Sequence, residues 1–286
     1  MAHKIDLDYL RQWIGRSDET EDIVTAQLVR ALRATLLMVP GEPRVGDAAP
    51  LTAHWCLAQP VAPWAELGPD GHPMRGGFLP PVPLPRRMWA GGQLDFFDPL
   101  RVGDVVSRRA VIRDVSLKTG RSGLLCFVTV DYDIATARGL ALRERRDLVY
   151  REEDAAPAPP QPKIPPRPAR HVRRYMADPV LLFRYSALTF NGHRIHYDRD
   201  YATAVEHYPG LVVHGPLQAA LMAEFATELR GETPETFSYR GISPLFDGAE
   251  FSLNADEDGQ DIALWTANVD GVPAMTAHAV WAKPAA

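Results

Sequence analysis

Ala155-Ala-Pro-Ala-Pro-Pro-Gln-Pro-Lys-Ile-Pro-Pro-Arg-Pro168 divides a chain of 286 residues nearly in half. Proline fixes φ and donates no backbone hydrogen bond, so the stretch continues neither a helix nor a sheet interior and is expected to run extended. Apolar patterning resumes over 171–286, which makes 155–168 a linker between two units, 1–154 and 169–286, rather than a tail. Two units also suit the length, at roughly 150 residues per domain.

The units repeat one order of elements. In the first, Thr20-Glu21-Asp22 lead into Ile23, Ala26, Leu28, Val29, Leu32 and Leu36, a spacing near the helical period that predicts a helix with acidic residues in its first turn. Val105-Val106, Ala110-Val111-Ile112, Leu124 to Val130 and Leu148-Val149-Tyr150 then read as antiparallel strands, broken by turns at Lys118-Thr119-Gly120 and Ala137-Arg138-Gly139. In the second, Pro216 to Leu229 has helical spacing, and Ala249 to Leu253, Ile262 to Val269 and Ala274 to Trp281 read as strands. Where each set of strands begins, Pro99-Leu-Arg-Val-Gly103 is echoed by Pro244-Leu-Phe-Asp-Gly248. The fold class is therefore α+β: two related units, each a curved antiparallel sheet around one helix.

Composition narrows the function. With 31 Lys+Arg against 36 Asp+Glu the net charge is -5, which argues against phosphate-backbone binding, so no nucleic-acid partner is expected. Cys56 and Cys126 show no CxxC or Cys/His ligand spacing and read as reduced core cysteines. No stretch approaches 18 apolar residues and the first residues meet charges at once, so no membrane partner and a cytoplasmic location are expected. GxGxxG and P-loop patterns are absent, so no nucleotide redox cofactor is implied.

Chemistry-bearing residues concentrate in Phe183-Arg-Tyr-Ser-Ala-Leu-Thr-Phe-Asn-Gly-His-Arg-Ile-His-Tyr-Asp198, where an apolar run meets Asn191, His193, His196 and Asp198 beside glycine. Further on, Gly210-Leu-Val-Val-His-Gly-Pro-Leu217 ends a strand-like run at a helix start, whose free amides can hold an oxygen anion. His193-x-x-His196-x-Asp198 invites a metal reading. The spacing is looser than the helical pair of zinc proteases and no third ligand group accompanies it, so no metal is expected. Arg184, Arg194 and Arg240 stand out as cations in and after these apolar stretches, and guanidinium suits a carboxylate or a phosphate.

These two motifs resemble those of the MaoC-like hydratases and dehydratases of the hotdog fold, and within them the branch called hydroxyacyl-thioester dehydratase type 2. The family motif Leu-Ser-Gly-Asp-x-Asn-Pro-hydrophobic-His-x-Asp is matched in frame by Leu188, Ile195, His196 and Asp198, with Asn191 at the aspartate and His193-Arg194 at the Asn-Pro pair. His214-Gly215 matches the second motif, and Trp13-Ile-Gly-Arg16 with Leu84-Pro-Arg-Arg-Met-Trp-Ala-Gly-Gly92 resembles the branch's N-terminal domain, without the histidine motif. The resemblance implies a double hotdog, with a non-catalytic first unit shaping an acyl tunnel, and reversible hydration of an α,β-unsaturated acyl-CoA by a hydro-lyase. It implies no cofactor beyond the coenzyme A of the substrate, and a homodimer.

His196 is then the expected proton carrier, Asn191 the group that orients the water, and Gly215 N–H the donor to the thioester oxygen. Arg194, Arg184, His193 and His214 are the expected substrate contacts. Arg194 is the foremost reader of a second carboxylate, because the branch includes enzymes acting on mesaconyl-C4-CoA. A hotdog thioesterase and a non-catalytic acyl-thioester-binding module are the competing readings; the first needs a carboxylate at the helix start, where Asn191 supplies none and Glu224 is the nearby acid.

Overall fold

The computed structural model describes residues 5–120, 123–152 and 168–281. The first half holds helix α1 (Leu7–Arg11), strand β1 (Ser17–Ile23), helix α2 (Ala26–Thr35) and strands β2 (Arg86–Phe96), β3 (Val105–Gly120), β4 (Gly123–Thr136) and β5 (Gly139–Arg151). The second holds β6 (His171–Met176), α3 (Pro179–Leu188), α4 (Gly215–Arg230), β7 (Thr236–Gly241), β8 (Glu250–Asp258), β9 (Asp261–Ala267) and β10 (Pro273–Val280). The expected linker at 155–168 lies outside the described residues, save Pro168.

The strands form one ten-stranded sheet, ordered β1-β3-β4-β5-β2-β7-β10-β9-β8-β6. Read outward from the β2–β7 joint, the halves have the same order: β2, β5, β4, β3, β1 on one side and β7, β10, β9, β8, β6 on the other. The pentapeptide echo falls at equivalent places. Gly103 N donates to the carbonyl of Val24, the first residue after β1, and Gly248 N donates to that of Ala177, the first after β6. Both glycines take positive φ, +95° and +80°, which explains why each copy of the echo ends in glycine.

Alternation along β4 puts Cys126, Val128, Val130, Tyr132 and Ile134 inward, so the apolar run from 124 to 130 is the core face of a long hairpin strand. The helix expected to start at Thr20-Glu21-Asp22 begins later. Those residues pair along β3, from Ser17 opposite Val111 to Ile23 opposite Val105, and the helix starts only after Thr25, whose hydroxyl accepts from Leu28 N at 3.0 Å.

The halves differ in what fills the concave face. In the second, α4 is buried nearly all round and packs on β7 to β10. In the first, the chain between α2 and β2 carries two single turns, at Ala53–Cys56 and Trp64–Glu66. Among the described residues, no helix is long and apolar enough to cross a membrane. Cys56 and Cys126 are free thiols, as expected, and burial pushes them up to about 12 and about 11.

Candidate active site

The motif loop is shaped by the end of α3. Asp178 caps that helix through Leu181 N at 2.8 Å, and Pro179 opens it. At its far end Phe190 takes φ +48°, a left-handed conformation that bulky residues rarely adopt, and turns the chain into Asn191. Asn191 Oδ1 then accepts from His193 N at 3.0 Å, which leaves the amide Nδ2 free to donate. The turn Arg194–His196 follows, and Val212 N donates to the carbonyl of Ile195, tying it to the chain entering α4.

His196 lies 7% exposed, with Nδ1 2.7 Å from the carbonyl of Val212. A carbonyl only accepts, so the proton sits on Nδ1 and the lone pair on Nε2. Burial pulls His196 down to about 4, further than the Val212 bond pulls it up. At neutral pH it is an uncharged base with one open nitrogen. Behind it, His214 is fully buried, stacks on His196 with ring centroids 3.7 Å apart, and shares a hydrogen bond of 2.8 Å with Ser186 Oγ. His214 caps α4, whose first N–H groups, Gly215 among them, lack intrahelical acceptors and carry the positive end of the helix dipole. A Cβ at 215 would stand 2.9 Å from the ring of Trp89, so glycine lets β2 close over this helix start.

The first half also enters the site. Gly68-Pro-Asp-Gly-His72 forms a tight turn in which Asp70 Oδ1 accepts from His72 N and Oδ2 from His72 Nδ1, each at 3.1 Å. The turn docks on the motif loop: Arg194 N donates to the carbonyl of Asp70 at 2.9 Å, and a Cβ on Gly71 would fall 1.9 Å from the carbonyl oxygen of Gly192. The His72 ring lies 4.3 Å from that of His193, which lies 5.4 Å from that of His196. Asp70, His72 and His193 bring three ligand-type atoms within 4.8 Å of one another. Both Asp70 oxygens already take an N–H from His72, and the arrangement reads first as an orienting carboxylate on an imidazole.

Arg87 completes this wall. It stands opposite Tyr150 in the β2–β5 register, and Arg75 lies over the Tyr150 ring at 5.4 Å. The Arg75 guanidinium is held by the carbonyls of Val82, Leu84 and Pro85. Arg87 has no carboxylate partner among the described residues. Burial above all, then the Arg87 charge, holds His72 down to about 4; burial, with His72 and His196 beside it, holds His193 lower still.

Comparisons with known proteins show the family. Residues 52–247 match the family described as Hydroxyacyl-thioester dehydratase type 2. The chain is 47% identical over 266 residues to a mesaconyl-C(4)-CoA hydratase of Chloroflexus aurantiacus, an alignment covering 93% of this chain and 95% of the relative. The chain belongs to the hydroxyacyl-thioester dehydratase type 2 family. It is thus a hydro-lyase acting on acyl thioesters. A mitochondrial member of the family from Schizosaccharomyces pombe is 28% identical over 242 residues, 74% of this chain and 78% of that one.

Solved structures carry the fold. A MaoC-like dehydratase from Phytophthora capsici superposes with a TM-score of 0.69 at 15% identity, covering 98% of this chain and all of that one. A Mycobacterium tuberculosis protein described as a double hotdog superposes at 0.54 with 14% identity, covering 93% and 95%. This dehydratase-family chain is a double hotdog.

The residues expected to serve the site are sorted by the structure. It brings together His196, His193, Asn191 and the start of α4 at Gly215. It does not bring Arg194 to them as a free cation: Arg194 gives Nε and Nη2 to Asp198 at 3.0 and 2.8 Å and Nη1 to the Pro69 carbonyl at 3.0 Å, and lies over Tyr201 at 4.2 Å. Its fork is used to clamp the halves. Arg184 is exposed on the face of α3 opposite the buried Tyr185 and Ser186, and Arg240 is exposed on β7. His214, expected to touch substrate, is sealed behind His196. Glu224 faces away, accepting from Leu51 N at 2.8 Å, and burial raises it to about 7. Asp70 and His72 escaped the sequence reading, although Pro-Asp-Gly before a histidine is a turn signal that presents the imidazole; Arg87 entered it only within 84–92, as part of the resemblance and not as a reader of the acyl group.

Proposed function

We propose that this hydro-lyase hydrates mesaconyl-C4-CoA, adding water across the double bond to give a citramalyl-type 3-hydroxyacyl thioester. The observation that carries the reading is the uncharged His196 with its open Nε2 beside the α4 N-terminus. The thioester oxygen takes hydrogen bonds from the Gly215 end of the helix, which polarises the conjugated double bond. Asn191 Nδ2 and His193 hold the water. Its oxygen bonds to Cβ as its proton passes to His196 Nε2, and the electron pair of the double bond moves onto the thioester as an enolate. The enolate collapses, Cα takes the proton, and His196 is neutral again. No metal or organic cofactor has a task in this sequence.

The acyl group is inferred from two supports: the relative at 47% identity is a mesaconyl-C(4)-CoA hydratase, and Arg87, which has no carboxylate partner among the described residues, stands beside the imidazoles for the free carboxylate of the substrate. Arg194 and Arg184 pass that role to it. We further infer a homodimer, from the exposed Val180, Phe183 and Phe190 along and just beyond α3, and a reducing compartment such as the cytoplasm, from the two free thiols. The test is a paired assay. Purified protein is given mesaconyl-C4-CoA or crotonyl-CoA, with loss of enoyl-thioester absorbance followed beside release of free thiol. Absorbance loss without thiol is expected; thiol release would make the protein a thioesterase, and silence in both channels a binding module.

A further inference from the structure

The motif loop lacks a carboxylate on its reacting side. Asn191 stands where the family motif has aspartate, and Asp198 is bound by Arg194 and caps Tyr201 N at 3.0 Å. A site whose base is a buried imidazole must still hold the proton that the base takes from water, and a neutral surrounding resists that charge. The carboxylate that faces the imidazoles comes from the other half of the chain. Asp70 lies on the His72 side of the row His72–His193–His196, and both its oxygens are bonded to His72. The side chains of Asp70 and His72 keep 25% and 20% exposure, so the pair lines the site and is not sealed in the core. Its docking is specific, through the Asp70 carbonyl on Arg194 N and the close approach of Gly71 to Gly192.

We propose that Asp70 and His72 form a second working part of the catalytic site: a carboxylate-backed imidazole, carried in by the first half, that stabilises the proton withdrawn from water and replaces the carboxylate that position 191 lacks. The inference rests on the hydratase reading above. Both are positioning residues, acting through His193 on the proton taken by His196 and not on carbon. No bond other than those of the hydration step forms or breaks. Asp70 fixes the His72 proton on Nδ1, so His72 presents its lone pair on Nε2, as an orienting aspartate does for a catalytic histidine. The charges around the pair are Arg75 and Arg87 from the first half, with Tyr150 between them, and His193 and Tyr201 from the second. The two guanidiniums oppose a positive His72; Asp70 is the group that favours a positive charge on His72 and on His193, the neighbour of His196.

Asp70→Asn keeps the shape and removes the charge, and His72→Gln keeps a donor and removes the imidazole. With folding verified by circular dichroism, kcat for mesaconyl-C4-CoA hydration is expected to fall about 10- to 100-fold in either variant while KM stays within about threefold, the scale of a lost acid/base contribution. The decisive readout is rescue. Asn191→Asp should restore most of the rate in the Asp70→Asn background and change the parent enzyme far less. Unchanged kcat in both variants, a loss confined to KM, or absence of rescue would overturn the assignment, as would a stoichiometric zinc or iron in the purified protein that leaves with Asp70→Asn. If the parent protein hydrates neither mesaconyl-C4-CoA nor crotonyl-CoA, the hydratase reading fails and takes the pair with it. If the parent is active and the variants match it, the pair alone fails.

Discussion

Replacing Arg87 by Met should change which acyl group the enzyme prefers. Methionine fills much of the volume of the arginine stem and carries no charge, so the variant isolates the guanidinium. A hydrogen bond between Arg87 and the free carboxylate of mesaconyl-C4-CoA is charge-assisted, worth roughly 1.5–3 kcal/mol, or about 10- to 150-fold in kcat/KM. Arg87 is half-buried, and solvent screening places the expected loss in the lower part of that range. Crotonyl-CoA, which lacks the carboxylate, should lose nothing and can gain, because the same guanidinium pushes His72 and His193 away from the protonated form. The assay is kcat/KM for both thioesters on parent and variant, read as a ratio so that any general change in the imidazoles cancels. A roughly tenfold or larger fall in the mesaconyl-to-crotonyl ratio is expected. Equal losses for both would assign Arg87 to the coenzyme A moiety common to the two substrates and remove the structural support for a dicarboxylic acyl group.

Three further outcomes follow from the same geometry. His196→Ala should abolish hydration with the fold intact, whereas Asn191→Ala, which loses an amide donor and an Asx turn, should cost less; comparable activity of parent and His196→Ala in the absorbance assay would reassign the base. Because His196 works as the neutral form and burial holds it at about 4, kcat/KM should stay level from about pH 8 down to about pH 5 and drop only as pH falls through about 4, measured by brief pH-jump assays; an acid limb near the ordinary histidine value would contradict the burial argument. Glu144 is 1% exposed and receives hydrogen bonds from His54 at 3.2 Å, Trp55 at 3.1 Å and Arg146 at 2.8 and 2.9 Å. Burial raises it, yet Arg146 and His54 outweigh burial and hold it well below the usual carboxylate range. Its contribution is therefore present above about pH 4 and lost on acidification below that, and Glu144→Ala should cost about 3–5 kcal/mol, seen as a fall of roughly 10 °C in Tm by calorimetry.

Much of the fold was legible because β3 to β5 and β8 to β10 obey simple rules. The period-two burial of β4 shows in the apolar run from 124 to 130, and the Ala137-Arg138-Gly139 turn sits between β4 and β5. The helix at Pro216 to Leu229 became α4 within a residue at each end, with Gly231 at φ +81° ending it. β1 was hidden because Ser17–Ile23 is an edge strand whose seven residues, SDETEDI, hold four acids and no buried side chain; its pairing is backbone to backbone and leaves no apolar signature. In the site, His196, Asn191 and Gly215 were legible as a local motif. Asp70 and His72 were not, because their place depends on the joint between halves, and a contact over more than 100 residues of chain has no local spacing to announce it.

That joint decides which first-half side chains reach the site. β2 and β7 meet with Leu94 opposite Phe237, both fully buried, and this pins the register, since a slip of one residue would turn Leu94 outward. Counting back from Leu94 in steps of two reaches Gly92 and then Ala90, which would leave Trp89 and Arg87 facing out. The β2–β5 pairing skips Ala90 instead: Gly91 lies opposite Asp147 and Trp89 opposite Leu148. The bulge adds one residue to β2 and reverses the alternation beyond it. Trp89 therefore turns inward against Gly215 and stacks on Tyr239 at 4.4 Å, and Arg87 turns inward opposite Tyr150, while Met88 between them is exposed. One extra residue in a strand thus sets the wall of the site.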